Sequence, residues 1–202
     1  TWNYEAGAKT QWFDRTRQAN LALYRIDWYD TQVMGQFFNG TYEGILNCKG
    51  VCARSQGIEL DLTARPIHGL DLGFSGTVFK AKWTKDQPSI NGSPLAGTQF
   101  TNTPRFTFNA SAAYRWDLGR DLELELRGDV QHNGKVAFND YRPEYNLQAP
   151  DAYTLVNTAL TLSKSDRWSA KLFARNLFDQ RAILNVTASN VMPYLALTAQ
   201  QL

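Results

Sequence analysis

The residues of this 202-residue chain whose types and spacing could do chemistry are two cysteines, two histidines and several sets of charged side chains. Cys48 and Cys52 lie in a short stretch containing Asn47 and Gly50, with no histidine nearby. Thiols at this spacing can oxidise to a local disulfide that closes a small loop in an oxidising compartment; free thiols and half of a metal site are the alternatives. His68 falls in an expected tight turn and His132 at the end of an expected strand, and neither has a serine or cysteine signature beside it. No nucleophile–base pair follows from that pattern, so no catalytic residue is assigned. Asp140, Glu144 and Asp151 share one stretch and could hold a cation, but their spacing matches no calcium loop, and no metal site is assigned. The remaining charges recur at alternate positions, as in Glu123, Glu125, Arg127 and Asp129. That period of two belongs to a strand, so the question becomes what the strands build.

Alternation of apolar with polar residues recurs about eight times along the chain, the signal of strands whose two faces differ. Phe106, Phe108, Ala110, Ala112, Tyr114 and Trp116 share one parity against Thr107, Asn109, Ser111, Arg115 and Asp117. Leu122, Leu124, Leu126 and Val130 stand against the charged ladder, and Ile58, Leu60, Leu62 and Ala64 against Glu59, Asp61, Thr63 and Arg65. Leu70, Leu72 and Phe74 repeat the pattern against Asp71, Gly73 and Ser75. A first pair of runs covers 2–12 and 19–33, and a last pair 153–163 and 168–176, the former interrupted where Leu155 and Val156 are adjacent.

The connections alternate between short and long. Turn-like links fall at 14–16, 65–69, 117–120 and 164–167; long Gly-, Asn- and Pro-rich links cover 38–55, 84–105, 133–152 and 177–195, beyond the usual length in compact domains. An up-and-down meander with turns at one end and long loops at the other is the layout of an outer-membrane β-barrel, whose short turns stay periplasmic. Soluble sandwiches and lipocalin-like barrels also alternate, but their strands cluster near about 5 or 6 residues, whereas these runs reach the roughly 9 to 11 that a tilted membrane-crossing strand needs. Aromatic residues near the run ends, Trp2, Trp12, Trp28, Trp83, Tyr114, Trp116, Tyr153 and Trp168, fit interfacial girdles. No stretch approaches the roughly 18 to 20 apolar residues of a membrane helix. Lys and Arg number 21 against 19 Asp and Glu, a balance that argues against a nucleic-acid partner. Thr1 opens directly into the first run with no export signal, so either the chain is cytoplasmic or its beginning lies elsewhere.

Three segments resemble the C-terminal region of TonB-dependent outer-membrane receptors, in the family's order and over nearly the whole chain. Gly57–Leu60 through Arg65-Pro66-Ile67-His68-Gly69 to Leu72 resembles the family's strand, tight turn, strand hairpin. Thr103-Pro104-Arg105-Phe106, opening a strand that ends in Tyr114-Arg115-Trp116, resembles the following loop-to-strand transition. Tyr153–Asn157, Trp168–Phe173 and Asn176-Leu177-Phe178-Asp179 resemble the family's "NLFD" region, with weaker support from Glu5–Lys9 and Tyr24–Trp28. Asn176 and Asp179 could bond backbone groups where a strand ends.

The resemblance implies an all-β, antiparallel up-and-down transmembrane barrel, of which residues 1–202 would be the C-terminal part, about eight strands of a larger barrel. It implies uptake of a scarce nutrient, a ferric siderophore above all, without cofactor or catalysis. The partners it implies are outer-membrane lipid, a plug domain of the same protein and the TonB complex, the last reached through an N-terminal region. Plug and TonB box are missing from the sequence, and 194–202 lacks the family's final strand and terminal aromatic, which suggests a fragment. Glu59, Asp61, Arg65, Arg115, Glu123, Glu125, Arg127 and Asp129 would line a polar lumen, either facing the plug or as a solvated wall. Such a lumen needs a wide barrel, because eight strands alone leave an interior filled by side chains. Ligand capture would fall to aromatic and basic loop residues, Trp83, Lys85, Phe100, Tyr141, Arg142 and Tyr145, which could stack on and hydrogen-bond anionic chelating groups. The alternative is a complete small outer-membrane barrel serving as a passive pore or a structural or adhesive protein.

Overall fold

The computed structural model describes residues 1–37, 42–86, 96–100, 103–136, 150–165, 167–188 and 197–201. Twelve strands follow one another: β1 (Trp2–Trp12), β2 (Arg17–Tyr29), β3 (Gln32–Phe37), β4 (Tyr42–Asn47), β5 (Val51–Ala64), β6 (Leu70–Trp83), β7 (Phe106–Gly119), β8 (Leu122–Asn133), β9 (Tyr153–Lys164), β10 (Trp168–Ala174), β11 (Ile183–Ala188) and β12 (Leu197–Gln201). Eight of them form one antiparallel sheet in the order β1-β2-β5-β6-β7-β8-β9-β10, while β3-β4 and β11-β12 are separate hairpins. The sheet runs from β1 at one edge to β10 at the other and does not close on itself, as a complete eight-stranded barrel would have to.

Register carries the alternation across every strand boundary. Leu23 sits opposite Ile58, Ile58 opposite Val78 and Val78 opposite Phe106, so apolar residues meet apolar ones. One residue along, Glu59 opposes Thr77, Asp61 opposes Ser75, Ser75 opposes Asn109 and Asn109 opposes Gln131. A slip of one position would exchange the two faces wholesale. The pairing of β8 with β9 runs without a bulge through Leu155 and Val156, so these neighbours point to opposite faces, Leu155 beside Gln131 and Val156 beside Val130.

The apolar face is bare. Leu21, Leu23, Ile58, Val78, Leu126 and Leu172 are all exposed, and the buried apolar residues among those described are only Cys48, Cys52, Ala53, Ala81, Ala113 and Ala182. A water-soluble fold of this size buries large side chains, whereas a sheet with its Leu, Ile, Val and Phe turned outward needs lipid as its solvent. Along β6 the band from Leu70 to Val78 spans about 27 Å of strand at ~3.4 Å per residue. With strand tilt this is comparable to the roughly 25 Å apolar belt of outer-membrane barrels.

Several sequence expectations need correction. The run 19–33 ends as a strand at Tyr29, because Asp30 turns left-handed (φ 49°) and the chain then starts the β3-β4 hairpin inside the expected loop 38–55. Residues 197–201 do form a strand, but it returns along β11 within the expected loop 177–195. Of the expected girdle aromatics, Trp2, Trp12, Tyr114, Trp116 and Trp168 lie on the apolar face. Trp28, Trp83 and Tyr153 have the opposite parity: Trp28 opposes Ala53, Ala53 opposes Trp83, and Tyr153 opposes Asn133 on the polar side. Asn176 bonds backbone as expected, accepting from Gln180 N (2.9 Å) and donating to Gln180 O (3.1 Å), whereas the Asp179 carboxylate meets Arg181 (3.3 Å).

The face assignment has a direct test in the full-length protein. Leu60→Arg, in the middle of the apolar band of β5, should cost about 2 to 4 kcal/mol of unfolding free energy in a bilayer. Thr77→Arg, beside Glu59 on the other face, should change it by no more than about 0.5 kcal/mol. Equal costs would refute the two-faced reading.

Candidate functional site

Strand alternation and register place Glu59, Asp61, Arg65, Arg115, Glu123, Glu125, Arg127 and Asp129 on one wall, where Arg65, Arg115, Glu125, Arg127 and Asp129 take part in ion pairs. Near the short turns Arg65 Nε bonds Asp71 Oδ1 at 2.6 Å, Arg115 bonds the other oxygen of the same carboxylate, and Arg115 lies 4.0 Å from Glu125. Farther up, Arg127 bonds Asp129 at 2.6 Å. These groups are part-exposed, so each pair contributes at most about 1 kcal/mol; what the network does is hold charge in fixed places along the wall. Gly69 supports it: its φ of 80° lets the backbone turn, and Arg115 N donates to its carbonyl at 2.8 Å. Arg65, His68, Asp71, Arg115, Asp121 and Glu123 line a concavity of about 1020 Å³ at this end, together with the hydroxyls of Thr16, Ser163 and Ser165. A second hollow of about 400 Å³ lies farther along the wall, lined by Asp61, Ser75, Asn109 and Asp129. Both offer alternating donors and acceptors to water or to a polar protein surface.

At the long-loop end, Cys48 and Cys52 are joined by a disulfide, and Cys52 is fully buried. The small loop is stitched on all sides. Cys48 N donates to Thr31 O (2.9 Å), Gly50 N to the Asp30 carboxylate (2.8 Å), Thr84 N to Cys52 O (3.0 Å) and Thr84 Oγ1 to Val51 O (2.6 Å). Lys85 Nζ donates to Lys49 O at 2.5 Å, which puts this ammonium against the disulfide loop. Next to it Trp83 packs on Phe100, ring centroids 4.8 Å apart and tilted by 48°. Trp83 has the parity of the polar wall, so the aromatic pair stands at its upper rim. The structure thus brings Trp83, Lys85 and Phe100 together; Tyr141, Arg142 and Tyr145 lie outside the described residues, as do Asp140 and Glu144. Asp151 pairs with Lys135 at 3.1 Å. His132 lies on the apolar face, bonded to Thr154 Oγ1 (2.8 Å) and stacked 5.2 Å from Phe108.

Two features were not singled out from the sequence. Asp71 is the carboxylate shared by Arg65 and Arg115, and Asp27 is clamped between Arg25 (2.8 Å) and Arg54 (2.5 Å). The second had a signal: along β2 one parity reads Leu21, Leu23 and then Arg25, Asp27, an abrupt change from apolar to charged on a single face.

Taken together, a one-sided apolar sheet, a charged opposite wall, short turns and a braced long-loop rim define a segment of outer-membrane barrel. The chain belongs to the TonB dependent receptor-like β-barrel family, whose model matches residues 1–177. Among solved structures it is similar to the ferric yersiniabactin uptake receptor FyuA from Yersinia pestis, with a TM-score of 0.69 and 20% identity over 94% of this chain and 26% of that one. The siderophore receptor PiuA from Acinetobacter baumannii gives a TM-score of 0.68 and 18% identity over 98% of this chain and 26% of that one. The ferripyoverdine receptor of the outer membrane of Pseudomonas aeruginosa gives 0.66 and 18% over 91% and 24%. At these identities the likeness establishes the fold, and the chain spans about a quarter of the length of the structures it matches. Its location is the bacterial outer membrane, and its family is one of receptors.

Replacing both Cys48 and Cys52 with serine should free the rim without unpairing the sheet. Chain entropy for so short a loop amounts to about 2 kcal/mol. Limited proteolysis of the full-length protein should therefore gain a cut between residues 47 and 50 while amide exchange in β5 and β6 stays protected; deprotection of β6 would mean that the loop supports the wall itself.

Proposed function

We propose that the full polypeptide imports a ferric siderophore across the outer membrane, energised by the TonB complex, with residues 1–202 as the C-terminal part of its barrel wall. The observation that carries this reading is the open eight-stranded sheet with a lipid-facing side and a charged side, in a family of TonB-dependent receptors. Its free edges call for further strands of the same protein, and its charged wall suits a plug domain. On this reading Asp71, Arg115, Glu125, Arg127 and Asp129 face the plug across a hydrated seam. Glu59, Asp61, Arg65 and Glu123 extend that seam, and the plug and the TonB-contacting region lie elsewhere in the polypeptide.

Capture is assigned to the long-loop rim. Trp83 and Phe100 offer aromatic faces at the top of the wall, and Lys85 adds positive charge beside them. Tyr141, Arg142 and Tyr145, in the sequence between β8 and β9, have the same chemistry. Aromatic and cationic groups together suit an anionic ferric chelate, which can be stacked on and hydrogen-bonded at once.

The test is uptake of radiolabelled ferric siderophores by iron-starved cells. Deleting the gene should abolish uptake of one chelate in a panel, and so should removing TonB. Cells carrying Trp83→Ala with Phe100→Ala should need roughly two- to tenfold more chelate for half-maximal uptake, the worth of one aromatic contact. Unaltered uptake of every chelate after gene deletion would rule out siderophore import, and uptake that survives loss of TonB would point to a passive pore.

A further inference from the structure

The apolar band stops along one line across three adjacent strands. Leu23, Ile58 and Val78 are register partners, and the next residues on the same face are Arg25, Gln56 and Lys80, followed by Asp27, Arg54 and Lys82. Two aromatic residues of β1 join these rows, Tyr4 opposite Arg25 and Trp2 opposite Asp27. Alternation alone would have continued the apolar parity to the strand ends; a switch in the same rows of β2, β5 and β6 marks the level at which hydrocarbon gives way to headgroups. Tyrosine and tryptophan beside it are the residues suited to that depth.

Just at this level the surface is concave. A hollow of about 480 Å³ is lined by Arg25, Gln56, Ile58, Val78, Lys80 and Arg105. Its lower part is aliphatic and its upper part cationic. The cations are held in place: Asp27, buried at 3% exposure, takes bonds from both Arg25 and Arg54. Arg105 Nε donates to Gln99 Oε1 at 2.7 Å, and its own carbonyl accepts from Phe79 N at 2.9 Å. Asp27 neutralises one charge of a patch that also carries Arg54, Lys80, Lys82 and Arg105, so the patch stays strongly positive. Such charge facing outward has no part in a lumen and no cargo to meet; its neighbour is the leaflet on the long-loop side.

We infer that this patch binds a phosphorylated lipid of the outer leaflet, with the phosphate held among Arg25, Lys80 and Arg105 and the acyl chains descending over Ile58 and Val78. Guanidinium groups match phosphate oxygens with paired N–H donors, and the aliphatic floor rejects a fully soluble anion. The inference rests on the outer-membrane setting of the sheet and is independent of what the receptor imports.

The experiment is native mass spectrometry of the full-length protein in neutral detergent, without siderophore, titrated with diphosphorylated lipid A and with its dephosphorylated form. Wild-type protein should prefer the phosphorylated lipid. Lys80→Gln, Lys82→Gln and Arg105→Gln combined, which leave the clamp on Asp27 intact, should weaken it by on the order of fivefold per charge, about a hundredfold together. Lys9→Gln with Lys171→Gln, on the opposite face, should leave it unchanged. Should the triple variant fail to fold, the wild-type protein gives the answer alone, because phosphate-directed binding must fall steeply as salt rises. Equal binding of both lipid forms, insensitivity to salt, full retention by a folded triple variant, or displacement by inorganic phosphate as effective as the lipid would each overturn the assignment.

Discussion

A polypeptide that crosses hydrocarbon must satisfy every backbone N–H and C=O within itself, since nothing in the surrounding lipid can do so. The main sheet answers with seven antiparallel ladders between its eight strands, from Trp2 opposite Asp27 to Ala174 opposite Thr158. Register is then a matter of solvent as well as pairing, because a shift by one residue would turn Glu59, Glu125 and Arg127 toward lipid. The irregularities that do occur, between Trp28 and Tyr29 and between Asp117 and Gly119, fall at strand ends, where water can accept the groups that the ladder leaves out.

The same constraint separates two chemistries on one thin wall. Toward lipid, stability comes from aliphatic and aromatic side chains in contact with acyl chains, so the large apolar residues stay exposed and, among the described residues, the buried apolar side chains are those of cysteine and alanine. Away from lipid, part-exposed pairs such as Arg65–Asp71 and Arg127–Asp129 add little to stability but fix where charge stands. A wall of that kind can face a polar domain or a stream of water without changing shape.

The two ends are built differently. At one, Phe13, Asp14 and Arg15 take left-handed conformations in a tight turn, closed by Thr16 N bonding Phe13 O at 3.0 Å. At the other, the chain spends many residues between strands, and the disulfide, Thr84 and Lys85 brace the base of one such excursion against β5 and β6. Stiff strands carrying braced loop bases and longer outer segments are a means of holding a binding surface in position while leaving it free to vary.

Much of this was legible in the residues. Strict alternation gave β1, β7 and β8 nearly to the residue, and the short-long rhythm of connections gave the up-and-down order, since both follow from local stereochemistry with a period of two. The set Glu59, Asp61, Arg65, Arg115, Glu123, Glu125, Arg127 and Asp129 could be placed on one face for the same reason. Less legible was the stretch after Tyr29, where the turn at Asp30 and the hairpin of β3 with β4 lack a clean alternating pattern. Pairing across strands was beyond reach altogether. That Asp71 serves two arginines, that Asp27 joins Arg25 to Arg54 from 27 positions away, and that Trp28 and Trp83 share the polar side are consequences of register. Periodicity along one strand says that two faces differ; only hydrogen bonding between strands decides which residues of distant segments meet on each.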